Sequence, residues 1–218
     1  MTCPHCRDAT GFFDERVVRW ELKRYLRRGP TKTTLMLARA LEREGVQGRD
    51  LLDIGGGLGA LQHVLLDAGL ERATSAEASP AFLEAARREA ERRGLAPRVD
   101  FLLGDFVEMG SAVGPAHVVT LDRVICCYPD MPALVGASAA HARELWGAVF
   151  PRERLLTRVA MGILNLVQRA RKSSFRAYVH PTEGVSRLLA EDGFALRAHE
   201  TTLFWQVMVW RRVGSAAA

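Results

Sequence analysis

The chain has 218 residues, of which 48% are hydrophobic and 25% are charged, so it can build a core and is too apolar to be disordered throughout. No segment approaches the roughly 18 consecutive apolar residues of a membrane-spanning helix, and the N-terminus lacks a signal-peptide pattern, so we expect a cytoplasmic protein. The net charge of +5, from 30 basic and 25 acidic residues, fits an ordinary surface as well as attraction to an anionic substrate or nucleic acid.

Two helices are predicted at the start of the chain. Apolar and charged residues alternate at helical spacing over residues 12–28, and a Gly-Pro pair ends that helix. Thr31 is a suitable N-cap for a second helix, which runs to about Glu44 before a glycine. We predict that residues 1–48 form a helical cap.

From residue 50 onwards, short apolar runs alternate with amphipathic helices, which predicts parallel strands covered by helices. The last two strands are too close in sequence for a crossover helix, so they must form an antiparallel hairpin. The predicted fold is α/β and Rossmann-like, with a seven-stranded mixed sheet over residues 49–213 and a helical insertion at about 152–175. The predicted strands are 51–54, 72–78, 99–103, 116–124, 148–150, 194–203 and 204–211, and the predicted helices are 60–68, 80–93, 132–146, 155–167 and 181–192.

A glycine-rich turn follows the first predicted strand and opens the next helix. Residues 53–59 read Asp-Ile-Gly-Gly-Gly-Leu-Gly. Glycines there allow a tight turn and let a ligand approach the main chain. With Ala60 the motif also fits a dinucleotide-binding fingerprint, so NAD has to be considered. Asp53 argues against NAD, because its charge would crowd a pyrophosphate and suits a cationic amino-acid ligand instead.

Acidic residues also follow the next two strands. Glu77 closes the second strand, where it can accept hydrogen bonds from a pair of ribose hydroxyls. Asp105 follows the third strand, where it can accept a hydrogen bond from an adenine amine while Phe106 covers the ring.

This ordered set resembles the class I S-adenosylmethionine-dependent methyltransferases, over roughly residues 50–211. The resemblance implies an enzyme that transfers a methyl group from S-adenosylmethionine. It also implies that the glycines contact the methionine part of that cofactor, Glu77 the ribose, and Asp105 with Phe106 the adenine. The residues expected to bind the cofactor are Asp53, Gly55, Gly56, Gly57, Glu77, Ala78, Gly104, Asp105, Phe106 and Leu121.

The segment after the fourth strand lies, in this family, between the donor methyl group and the acceptor. We predict that Asp122, Arg123 and Tyr128 line this transfer site, with Asp122 as a base or a partner of the cofactor amine and Arg123 holding an acceptor carboxylate. A strand-end ion pair and a core tyrosine are the alternatives. The Asn-Pro-Pro-Tyr motif of many amino-methylating nucleic-acid enzymes is absent here, which argues against methylation of a base.

Within the family, the chain is loosely similar to magnesium-protoporphyrin O-methyltransferases. The shared features are an apolar-Asp-apolar stretch that leads to Tyr128-Pro129, a basic stretch with glycine at residues 29–32, and residues 176–180 with the following helix. The similarity implies a flat, apolar acceptor that bears a carboxylate. We therefore expect O-methylation of a small molecule, with RNA or DNA methylation and non-catalytic cofactor binding as alternatives.

Two segments, 16–32 and 152–176, are basic, with a single glutamate in each. The second contains an apolar helix with basic ends, which suits an amphipathic anionic substrate or peripheral contact with a membrane surface. A helix packed on the core is the alternative. Aromatic residues do not interleave the basic ones, which argues against a nucleic-acid partner. The sequence predicts no metal ligands at the site and leaves the oligomeric state open.

The four cysteines form one CxxC pair, Cys3 and Cys6, and one vicinal pair, Cys126 and Cys127. This spacing argues against a disulfide framework. The first pair is either part of a frayed terminus or half of a metal or redox site. The second is either two small buried apolar residues or a pair of reactive thiols.

Overall fold

A computed structural model describes residues 14–171, 173 and 175–214, so the Cys3–Cys6 pair lies outside the described residues. The strands are β1 (Asp50–Ile54), β2 (Arg72–Glu77), β3 (Val99–Leu103), β4 (Ala116–Asp122), β5 (Ala142–Pro151), β6 (Phe194–Thr201) and β7 (Trp205–Arg212). The α-helices of this part of the chain are α1 (Glu15–Arg28), α2 (Lys32–Glu44), α3 (Ala60–Asp67), α4 (Pro80–Arg92), α5 (Phe106–Met109), α6 (Met131–His141), α7 (Leu155–Ala170) and α8 (Thr182–Glu191).

All seven strands belong to one sheet in the order β3-β2-β1-β4-β5-β7-β6. Strands β1 to β5 are parallel to one another, whereas β7 runs antiparallel to both β5 and β6. The predicted mixed sheet with a closing antiparallel hairpin is therefore confirmed. The carboxyl ends of β1, β2 and β4 meet at one edge of this sheet, which is where ligands bind in open α/β folds.

The sheet separates two apolar cores, one on each face. One core contains α6 and α8, and the other contains α2 and α3. Leu37 of α2 lies so close to β5 that a Cβ on Gly147 would stand 2.9 Å from its Cδ1 atom. Helix α2 thus shares the core of the sheet, while the predicted division of the chain at residue 48 stays a prediction.

Helix α1 packs differently, beside the glycine-rich turn. Asp14 caps it by accepting hydrogen bonds from two main-chain N–H groups of the first turn. Its buried residues, Val18 and Tyr25, form a small cluster with Leu58 of the turn and with residues of α4. This packing places α1 over the edge of the sheet that carries the ligand site.

The structure corrects one predicted element. A single helix was expected over 132–146, but α6 ends at His141 and β5 begins at Ala142. The Ala-Arg-Glu-Leu-Trp run has good local helix propensity, and long-range pairing overrides it. Strand β5 lies between β4 and β7, which buries Trp146 completely and lets its indole N–H donate to Ser138 of α6 at 2.8 Å.

Within the described ranges, no helix is both long enough and apolar enough to cross a bilayer.

Candidate active site

A cavity of about 410 Å³ opens at the carboxyl ends of the strands, between the glycine-rich turn, α1 and α7. Its volume is within the range of small-molecule sites. One side carries the predicted cofactor groups and the other is largely apolar. Its lining includes Glu21, Arg24 and Tyr25 of α1, Asp53, residues 55–58, Glu77, Phe82, residues 122–124, Cys126, Cys127 and Tyr128, and, across from them, Met161, Leu164, Phe175, Ala177 and Trp205.

The glycine-rich turn needs its glycines for different reasons. Gly55 and Gly57 both have a left-handed backbone, with φ of +64° and +57°. A Cβ on Gly55 would stand 2.5 Å from Cγ2 of Val124, so the turn packs tightly against the segment after β4. A Cβ on Gly57 would instead come no nearer than 3.9 Å to Phe82. The main chain at Gly57 is therefore open towards the cavity, as a ligand in contact with the backbone requires.

Glu77 is buried at the end of β2, with its side chain at the cavity. Its Oε2 atom accepts a hydrogen bond from the N–H of Gly57 at 3.0 Å, and its Oε1 atom accepts one from the N–H of Ser79 at 2.8 Å. Burial raises the pKa of Glu77 above its ordinary value, although these N–H groups act in the opposite direction. Each oxygen keeps a lone pair, so the carboxylate can also accept hydrogen bonds from a ligand's hydroxyls.

Asp53 lies beneath the turn, fully buried in a polar cluster. It accepts hydrogen bonds from the Thr120 hydroxyl at 2.7 Å and from the Gln62 amide at 3.0 Å. Burial raises the pKa of Asp53 to about 7, against the lowering effect of those two donors. Gly56 covers this cluster, because a Cβ there would stand 2.5 Å from Nε2 of Gln62. The cluster supports the turn from below and fixes its position.

The segment after β4 brings two predicted residues to the cavity. Arg123 has a left-handed backbone with φ of +64°, which is uncommon outside glycine, and its N–H donates to the Val149 carbonyl at 2.9 Å. Its Nε atom donates to Oδ1 of Asp122 at 3.2 Å, and the Thr34 hydroxyl donates to Oδ2 at 2.6 Å. The two terminal nitrogens of Arg123 have no hydrogen-bond partner among the described residues. They are available to an anionic group in the cavity.

Tyr128 also lines the cavity, and its hydroxyl donates to Oδ2 of Asp105 at 3.2 Å. The neighbouring thiols of Cys126 and Cys127 have their Sγ atoms 3.7 Å apart. The hydrogen bond between them, together with burial, raises the pKa of the Cys126 thiol well above its ordinary value. Cys126 is therefore a protonated, unreactive thiol at neutral pH.

Five residues expected at the cofactor lie behind the cavity surface rather than on it. Asp105 caps α5 by accepting a hydrogen bond from the Val107 N–H at 3.0 Å, and Leu121 is fully buried. The side chain of Phe106 lies in the core with its ring 5.1 Å from that of His141, edge to face, and its contact with a ligand ring stays a prediction. Phe82 is the aromatic residue that borders the glycine-rich turn. The other two residues behind the surface are Ala78 and Gly104.

The sequence did not indicate the residues that α1 and the insertion bring to the cavity. Tyr25 of α1 shares a hydrogen bond of 3.0 Å with Nδ1 of His63, and burial lowers the pKa of His63 to about 4, so the ring is neutral. Asn165 of α7 is not part of the cavity lining, but it holds Ala177, which is, through two hydrogen bonds of 2.8 Å with the Ala177 main chain. Helix periodicity marks these residues as partly buried, but it does not tell what they face.

The comparisons with known proteins agree with this geometry. Residues 51–144 match the model of a family described as a methyltransferase domain. Residues 51–144 therefore form a methyltransferase domain, as the sequence predicts. No curated protein sequence matches the chain.

Solved structures resemble this methyltransferase in fold at low identity. Magnesium protoporphyrin IX methyltransferase from Synechocystis, solved with S-adenosylmethionine, has a TM-score of 0.70 and 16% identity over 97% of this chain and 98% of that one. An O-methyltransferase family protein from Burkholderia thailandensis has a TM-score of 0.71 and 17% identity over 96% of this chain and 63% of that one. At this identity the likeness shows the fold, and it confirms the predicted Rossmann-like architecture.

The cofactor of this domain is S-adenosylmethionine, and the residues at the cavity fit it. The open main chain at Gly57 and the buried acceptor Glu77 suit an amino-acid group and a pair of ribose hydroxyls, respectively. The match therefore favours the methyltransferase over the NAD interpretation of the glycine motif. The roles of individual residues towards the cofactor stay predictions.

Proposed function

We propose that this methyltransferase methylates an oxygen atom, a carboxylate oxygen in particular, of a small and largely apolar acceptor. The observation that carries the proposal is Arg123, which lines the cavity and whose terminal nitrogens are unpaired among the described residues. Met161, Leu164 and Phe175 supply apolar walls to that cavity. A guanidinium in such surroundings binds a carboxylate through two parallel hydrogen bonds.

The surroundings of Asp122 also favour a carboxylate acceptor. One of its oxygens accepts a hydrogen bond from Thr34 and the other accepts one from Arg123. These two contacts occupy both carboxylate oxygens and orient Arg123, so Asp122 is better suited to positioning than to removing a proton. A carboxylate acceptor is ionised at neutral pH and needs no base, whereas a hydroxyl acceptor does.

The chain's contribution to the reaction is then mainly orientation. S-adenosylmethionine, when bound, supplies an electrophilic methyl group. Arg123 holds the acceptor, the glycine-rich turn and Glu77 hold the donor, and α1 with α7 exclude water from the space between them. Holding two reactants in line in this way is among the largest contributions that a protein makes to such a reaction.

The segment that directly follows the insertion is hydrogen-bonded to main-chain carbonyls of the transfer site. The N–H of Tyr178 donates to the Cys126 carbonyl at 2.8 Å, and the ring of His180 bonds to the Tyr128 carbonyl at 2.9 Å. A shift of α7 would thus also move the segment next to Arg123. This connection supports a role for the insertion in shaping the acceptor chamber.

The test is transfer of a labelled methyl group into a cell extract, followed by separation into organic-soluble, protein and nucleic-acid fractions. We expect label in the organic fraction, released as methanol by mild base because a methyl ester hydrolyses. Base-stable label in that fraction would indicate a methyl group on an ether oxygen, a nitrogen or a carbon, and would contradict the carboxylate. Nuclease-sensitive label would favour nucleic-acid methylation, and no label with intact cofactor binding would favour a non-catalytic protein.

The matched variants are Arg123→Gln and Arg143→Gln. Arg143 is exposed on β5, so its replacement changes the net charge equally without touching the cavity. We expect Arg123→Gln to raise the KM for the acceptor about tenfold to 100-fold, the value of a charge-assisted hydrogen-bond pair, and to leave cofactor affinity unchanged. Equal KM values in the two variants would contradict the role of Arg123.

A further inference from the structure

Helix α7 has an apolar face that the described residues do not cover. Six of its side chains, 43% to 79% exposed, recur at the three- and four-residue spacings that place them on one side of a helix. The opposite side carries Met161 and Leu164, which line the cavity, and the buried residues Thr157 and Gln168. The inner side of the helix is thus mixed in polarity and faces the protein, whereas the outer side is apolar and exposed. The exposed residues are Leu155, Leu156, Val159, Ile163, Leu166 and Val167.

Positive charges flank this outer face at both ends. Arg154 and Arg158 are exposed at its start, and Arg169 and Arg171 at its end. The sequence has no aspartate or glutamate between residues 154 and 176. Glu153 is adjacent, but it is paired with Arg158 at 2.6 Å. An apolar stripe with cationic ends and no acidic residue is complementary to an anionic lipid surface, in charge as well as in polarity.

A second copy of the chain fits this face less well. In an antiparallel pairing of two α7 helices, the arginines at the start of one helix would meet those at the end of the other. In a parallel pairing, identical ends would meet. Both arrangements place like charges side by side on helices that have no acidic residue to pair with them.

We propose that α7 docks this protein on an anionic lipid surface, with the exposed apolar face at the level of the acyl chains and the flanking arginines among the headgroup phosphates. The contact is independent of which acceptor is methylated. It places the helix that forms one wall of the cavity directly on the membrane surface.

The experiment is co-sedimentation of the full chain with vesicles of phosphatidylcholine alone and with vesicles in which about one lipid in three is phosphatidylglycerol. We expect binding to the anionic vesicles, little binding to the neutral ones, and weaker binding as salt screens the charges. The double variant Ile163→Glu and Leu166→Glu should bind at least tenfold more weakly, since it places charges on the apolar face. The control is Leu196→Glu, at an exposed position of β6, and it should bind like the unmodified protein.

The arginines are tested with two triple variants of equal net charge. Replacing Arg154, Arg169 and Arg171 by glutamine should weaken binding about 100-fold, from the contribution of each basic residue near an anionic surface. The matched control replaces the exposed residues Arg39, Arg143 and Arg187 by glutamine, and it should keep most of the affinity.

Three results would overturn the proposal. The first is no binding to anionic vesicles, and the second is an equal loss in both arginine variants, which would mean attraction by net charge alone. The third is a dimer in sedimentation velocity that the Ile163→Glu and Leu166→Glu variant abolishes, since the face would then join two copies. Calorimetric titration with S-adenosylmethionine checks that each variant is folded and separates failure of docking from failure of the proposed reaction.

Discussion

The buried carboxyl of Asp53 makes a specific prediction about stability and pH. Its ordinary pKa of 3.8 rises to about 7 in the folded protein. A carboxyl whose pKa is raised by folding binds more protons in the folded state, so its presence destabilises the fold as the pH rises towards the folded value. We therefore expect Asp53→Asn, which has the same shape and no charge, to become increasingly favourable relative to the unmodified protein between pH 4 and pH 7.

The size of the effect follows from the two pKa values. Between pH 5 and about pH 7, Asp53 is ionised in the unfolded chain and protonated in the folded protein. The unfolding free energy therefore falls over about two pH units, by about 3 kcal/mol in total. The asparagine can keep the bond from Thr120, and its amide can donate to Oε1 of Gln62, a buried atom with no hydrogen-bond partner among the described residues. The Gln62 amide must turn over for this, so its Nε2 atom loses its acceptor as Oε1 gains a donor, and the number of unpaired polar groups stays the same.

The assay is urea unfolding of both proteins, without cofactor, at pH 5 and at pH 8. At each pH, the unfolding free energy of the unmodified protein is subtracted from that of the Asp53→Asn variant. The change in this difference between the two pH values is the relevant quantity, because the titration of all other groups cancels in it. Asp67→Asn, at an exposed position that ends α3, is the control and should show no such change. An Asp53→Asn protein whose advantage is the same at both pH values would refute the reasoning.

Three further predictions concern the cofactor site and α1. Glu77→Gln should weaken S-adenosylmethionine binding about tenfold to 100-fold in calorimetry, because an amide nitrogen would face a main-chain N–H and one acceptor would be lost. The control, Glu84→Gln on the surface of α4, should have no effect on binding. Gly57→Val should abolish S-adenosylmethionine binding while the protein stays folded, because it adds about 1–2 kcal/mol of backbone strain and projects a side chain towards the cavity. Unchanged affinity would contradict the predicted role of the turn. Tyr25→Phe should lower the unfolding free energy by about 1–3 kcal/mol, because it leaves the neutral ring of buried His63 without its partner, and an unchanged urea midpoint would argue against that bond.

Local sequence patterns were sufficient for most elements of this fold. Asp14, Thr31 and Ser79 each accept a hydrogen bond from the first turn of a helix, so side chains near in sequence define where those helices begin. The short link between β6 and β7 excludes a crossover, which decides their antiparallel pairing. The beginning of β5 was different, because its residues favour a helix by themselves and form a strand only between β4 and β7.

The candidate site divides in the same way. The positions of Glu77 and Arg123 could be predicted because each follows a parallel strand, and the ends of such strands meet at one edge. The orientation of Phe106 could not be predicted, because whether a side chain after a strand turns into the cavity or into the core depends on what packs behind it, and here that is His141.

The sequence by itself determined the succession of strands and helices along the chain. It also determined the positions of the glycine-rich turn and of the acidic residues at the strand ends, because these depend on spacing along the chain. Only the tertiary structure decided that Tyr25 and Leu164 face the cavity. It also decided that, within the part of the chain that the structure describes, two nitrogens of Arg123 have no partner and one side of α7 is uncovered. These features depend on which surfaces meet when distant segments pack, and burial and desolvation then set properties such as the raised pKa of Asp53.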